Sequence, residues 1–86
     1  MPQLEPEHII WCHRLFATLS EEGTWTLPRS GLTFTKRWDA LVLTSRMPWS
    51  PALGGSPESW SRHQDEDYEI NRIHFEAAGI RMRKDL

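Results

Sequence analysis

Eighty-six residues with a net charge of −2 make one domain, residues 1–86, and that charge argues against a dedicated nucleic-acid binder. Cys12 is the only cysteine, so an internal disulfide is excluded and a reducing, cytoplasmic compartment is expected. No apolar run approaches the ~20 residues of a membrane-spanning helix, and the expected protein is soluble with no membrane partner.

Residues 6–21 read as a first helix. Pro6 suits the first helical position, Glu7 favours the positive end of the helix dipole, and Gly23 offers a left-handed stop. Ile9, Cys12, Leu15, Phe16 and Leu19 share one side, with Trp11 at its edge and Arg14, Thr18 and Glu21 opposite. The period then changes. Thr24–Leu27 and Leu32–Thr35 alternate around Pro28-Arg29-Ser30-Gly31, which predicts a hairpin with Pro second in the turn and Gly left-handed. Trp25, Leu27, Leu32 and Phe34 then point to one face, and Thr24, Thr26, Thr33 and Thr35 to the other. Arg37-Trp38-Asp39 makes a tight connection to a third strand, Ala40–Thr44, whose weaker alternation suits a central position.

Residues 47–61 form an irregular loop of Pro, Gly and Ser around Trp49 and Leu53. Ser56-Pro57-Glu58 starts a short helical turn through Trp60, and Asp65 caps a second helix over 66–78 with Gly79 as its stop. Ile70, Ile73 and Ala77 are the expected core face of that helix, with Tyr68 and Phe75 on roughly the opposite side. Ile80-Arg81-Met82-Arg83 alternates and adds a short edge strand. The fold class is α+β: a two-layer sandwich of N-terminal helix, three-stranded antiparallel meander, C-terminal helix and that terminal strand.

Little in the chain carries catalysis. Cys12 and His8 have the spacing of an activated thiol or half a zinc site, yet both project toward the core side, where a free Cys is a small hydrophobe. His63, Asp67 and His74, taken with His8 or His13, show no metal-ligand spacing. Asp65-Glu66-Asp67 lacks the alternating oxygens and central Gly of a calcium loop. No phosphate-cradling loop, dinucleotide fingerprint or nucleophile elbow occurs. The expectation is a non-enzyme with no cofactor and no metal.

Five tryptophans are many for a chain this short. Trp11 and Trp25 sit where a helix and a strand want core anchors. Trp38, Trp49 and Trp60 fall among Gly, Pro, Ser and charge, where a small core has less use for them, and Trp is enriched at binding hot spots. The predicted function is a non-catalytic module that docks on a larger protein partner as a regulator or inhibitor. Size alone suggests the compact products that phages and mobile elements encode. The expected contacts are Trp38 and Trp49 with Arg37, Arg46 and Met47 around them, joined by Trp60 and by Tyr68 and Phe75 on the second helix. A homodimer through the same surface is a variant. The alternative is nucleic-acid binding by the basic aromatic stretch of Arg29, Lys36, Arg37, Trp38, Arg46 and Trp49. A metal or thiol enzyme is the third reading.

Overall fold

A computed structural model describes residues 5–85; residues 1–4 and 86 of the expected domain lie outside the described residues. The order is α1 (Pro6–Thr18), β1 (Thr24–Thr26), β2 (Leu32–Arg37), β3 (Ala40–Arg46), a short 3-10 turn (Pro51–Leu53), α2 (Pro57–Ala77) and β4 (Arg81–Lys84). This is the expected α+β sandwich. The sheet runs β1-β2-β3-β4, with β1 to β3 an antiparallel meander and β4 parallel to β3. A parallel neighbour requires a crossover of a dozen or more residues, which α2 supplies.

Strand pairing sorts the side chains. Trp25, Phe34 and Leu43 lie in one row, and Lys36, Leu41 and Met82 in the next. These rows meet Cys12 of α1 with Tyr68 and Phe75 of α2 in one buried cluster, so both helices cover the same face. The opposite face carries the threonines, Arg37, Arg81 and Arg83. Thr44 is the extra residue where the β2–β3 register shifts, and its hydroxyl lies 2.8 Å from that of Thr35.

Helix α1 ends three residues before the predicted limit. Lys36 explains the stop: its ammonium donates to the carbonyls of Phe16 (2.8 Å) and Leu19 (3.0 Å), groups that a continuing helix would have used itself. The left-handed residue beyond it is Glu22, with φ 68°, rather than Gly23. The Pro28–Gly31 turn forms as expected. Gly31 has φ 66°, and a Cβ there would lie 2.4 Å from Cβ of Met47, so only glycine fits.

Helix α2 departs most from the expectation. It is continuous from Pro57, because Ser61 to Asp65 contain no helix breaker and Ser56 supplies a full capping box: Ser59 N–H donates to Ser56 Oγ at 3.1 Å, and Ser56 N–H to Ser59 Oγ at 3.0 Å. Asp65 is therefore mid-helix and not a cap. The core face is also reversed. Gln64, Tyr68 and Phe75 are buried while Ile70 is about half exposed. The stripe 64–68–71–75 has helical spacing, but Gln64 and Asn71 give it a polar signature. Gln64 tolerates burial because its amide donates to the carbonyls of Ser30 (2.9 Å) and Met47 (2.8 Å).

Candidate interaction surface

Trp38 and Asp39 form the two-residue connection between Arg37 and Ala40, which pair directly. Trp38 sits at φ 51° and is 88% exposed. Left-handed backbone disfavours a side chain with a Cβ, and for a bulky residue it is rare. Glu21 holds the turn in place: the Trp38 N–H donates to both of its carboxylate oxygens, at 2.7 and 3.2 Å. Three ion pairs engage the residues on either side of Trp38, Arg37 and Asp39. Arg37 is 3.5 Å from Glu22 and 3.5 Å from Asp85, and Arg81 is 4.0 Å from Asp39. The indole is thus almost fully exposed on a turn whose flanking residues are held in ion pairs.

The other predicted contacts are divided between a second place and the core. Arg46, Met47, Trp49 and Trp60 gather at the far end of β3, about 20 Å from Trp38 along a strand of this length. Arg46 is bound to Asp65 at 3.1 Å. Trp49 is half-buried and its Nε1 donates to Gly54 O at 2.9 Å, closing the loop around the 3-10 turn. Trp60 is half-buried as well, and its Nε1 donates to Met47 O at 2.9 Å, tying that loop to α2. The side chains of Met47 and Leu53 both remain exposed, Met47 by about half. The loop 47–56 is thus an ordered cap whose indoles serve its own closure.

Tyr68 and Phe75 correct the expectation outright. Both are buried, Phe75 completely, and neither is a surface contact. Phe75 packs against Trp11 and Trp25, with ring centroids 6.0 and 5.4 Å away, and Tyr68 stacks on Phe34 at 6.0 Å. Their place follows from the α2 stripe, since the longer helix turns its aromatic side to the sheet.

The basic aromatic stretch is largely neutralised from within. Lys36 caps α1, Arg37 pairs with Glu22 and Asp85, and Arg46 pairs with Asp65. The open sheet face carries no aromatic ring among the described residues, so it lacks a stacking platform for bases. The metal-ligand candidates form no single cluster among the described residues. His8 stacks on His74, His13 Nε2 contacts Ala78 O at 2.6 Å, and His63 Nε2 contacts Arg29 O at 3.0 Å. Among the described residues no three His, Cys, Asp or Glu side chains converge, and no helix is long and apolar enough to cross a membrane.

Sequence reading missed two features of the surface. Glu21, assigned only to the polar side of α1, is the clamp on the Trp38 turn, and no local pattern signals so distant a partner. Trp11, placed at the edge of a core stripe, keeps 48% of its surface beside the free edge of β1. Comparison with protein-family models, with curated proteins and with solved structures found no match.

Proposed function

We propose that the protein is a non-catalytic binding module, a small regulator or inhibitor that docks on a larger protein partner through Trp38. One observation carries this reading. A large aromatic ring stands 88% exposed on a left-handed backbone, where it contributes no core packing and costs roughly 1–2 kcal/mol in backbone strain. The two-residue hairpin turn accounts for the positive φ but not for a bulky indole at that position, whereas an indole that enters an apolar pocket of a partner is a common hot spot. The pairs Arg37–Glu22–Asp85 and Arg81–Asp39 make a polar rim of mixed sign, which sets orientation and excludes mismatched partners more than it adds affinity.

Nucleic-acid binding is the weaker reading. Three of the four cations proposed for it already satisfy internal acceptors, and counterion release needs cations free to meet phosphate.

The test compares Trp38→Ala with the parent chain in capture from a native lysate and in direct titration of whatever the parent retains. Truncation of a hot-spot indole weakens binding by about 30-fold or more, an effect of ~2 kcal/mol. The melting temperature should stay level, because the ring is almost fully exposed and alanine keeps the Cβ that strains the backbone. Equal capture by both proteins, or unfolding of the variant, would remove Trp38 as the anchor.

A further inference from the structure

The two edges of the sheet are built differently. β4 presents Arg81, Arg83 and Lys84, and charge on an edge strand resists pairing with another chain. β1 is Thr24-Trp25-Thr26, without charge or proline. Leu27 N–H donates to Leu32 O at 2.8 Å, and Lys36 N–H to Gly23 O at 2.8 Å. Antiparallel ladders alternate, so residues 23, 25 and 27 face β2, and Thr24 and Thr26 turn their N–H and C=O groups outward. The hydroxyls of Thr26 and Thr33 are 2.8 Å apart, as fits a pair on the side of the ladder where side chains approach most closely. Two donors and two acceptors therefore line an open, uncharged edge. Beside it lies a groove of about 270 Å³ between Trp11 of α1, Asp67 and Asn71 of α2, and Trp25, Leu27, Pro28 and Arg29.

We propose that this edge is the interface of a homodimer, in which the β1 strands of two copies pair antiparallel about a two-fold axis at Trp25. Thr24 of each copy then exchanges both backbone bonds with Thr26 of the other, giving four hydrogen bonds and one continuous sheet. The register has no good neighbour. A shift one way asks for the N–H of Glu22, which already donates to Lys36 O at 2.9 Å. A shift the other way asks for the N–H of Pro28, which does not exist.

Charge selects the same occupant. The register lays Pro28-Arg29 of one copy along Glu21-Glu22 of the other, and the axis repeats the contact. Arg29 has no ion pair among the described residues, and Glu22 is a largely exposed carboxylate held only by Arg37. Across the axis the two Trp25 rings meet on the helix side, with Trp11 of each copy closing over them. The Trp38 turns end up at opposite ends of the joined sheet and stay free. The interface meets the docking surface proposed above only at Glu21-Glu22, and it stands without that reading.

The experiment is sedimentation equilibrium of the full chain from micromolar to millimolar concentration, with amide hydrogen exchange across the same range. The mass should rise from 10.1 kDa toward twice that value, while the Thr24 and Thr26 amides gain protection together. Thr26→Pro replaces an outward N–H at an edge position where proline is tolerated, and should give a monomer with unchanged circular dichroism. Arg29→Glu should weaken the dimer by about tenfold, and Glu22→Arg in the same chain should restore it. If Thr26→Pro does not fold, the charge-reversal pair and the exchange data decide. A monomer at every concentration overturns the proposal. So does a dimer indifferent to both Thr26→Pro and Arg29→Glu, or one that leaves the Thr24 and Thr26 amides unprotected.

Discussion

Cys12 illustrates how environment sets the use of a side chain. It is completely buried, and desolvation pushes its thiol up to about 11, so the reactive thiolate is suppressed as well as shielded. An alkylating reagent at mildly alkaline pH should leave the native protein unmodified and label it only as fast as it unfolds; prompt labelling of the folded chain would place the thiol at the surface. The role of Cys12 was legible because its neighbours in the helical stripe are apolar. Tyr68 and Phe75 were not, because Gln64 and Asn71 interrupt their stripe, and what makes Gln64 burial tolerable is a pair of carbonyls at Ser30 and Met47, distant in the chain. The indoles divide the same way. Trp38 is flanked by charge and is exposed, as that flank implies. Trp49 and Trp60 are flanked by Pro and Ser, which promise no core either, yet their N–H groups close on backbone oxygens of Gly54 and Met47 that only the path of the loop brings near.

Among the elements, the meander follows directly from sequence, since alternation, a Pro-x-x-Gly turn and a two-residue connection each act locally. The parallel placement of β4 does not, because nothing in Arg81–Lys84 names its partner; the 21-residue crossover of α2 decides it. The length of α2 depends in turn on where it starts. Ser56 accepts a bond from an early amide with its hydroxyl and donates its own N–H to Ser59 Oγ, so the first turn is fixed by local hydrogen bonds. Ser56→Ala should lower stability by about 1 kcal/mol, read as a shift of the urea midpoint at constant slope. A smaller slope instead would mean that the first turns of α2 had come away from the fold. Arg72, paired with both Glu69 and Glu76 on the exposed side, lies in the helix interior and should be indifferent to that change.

At the scale of the whole molecule, the two helices are joined through histidines. His8 of α1 stacks on His74 of α2 with ring centroids 4.7 Å apart, and His13 Nε2 contacts the Ala78 carbonyl at the end of α2. Burial, and secondly the nearby His8, hold the His74 pKa below its ordinary value of 6.5. The native state therefore resists a proton that the unfolded chain accepts. Above 6.5 His74 is neutral in both states and the stability is fully present; as pH falls from there toward the lower native value, the unfolded chain gains protons first and stability declines. Below the native value both states are protonated, and this contribution to the decline ends. Thermal melts across that window should show a falling midpoint for the parent chain and a flatter profile for His74→Asn, which keeps a planar polar group without the titration. Because both rings sit between α1 and α2, the loss should appear first as weakened helix docking, seen in near-ultraviolet dichroism of Trp11 against Phe75 before the sheet melts. A midpoint that rises on acidification, or equal slopes for both proteins, would show that the histidine pair does not govern how the helices are held together.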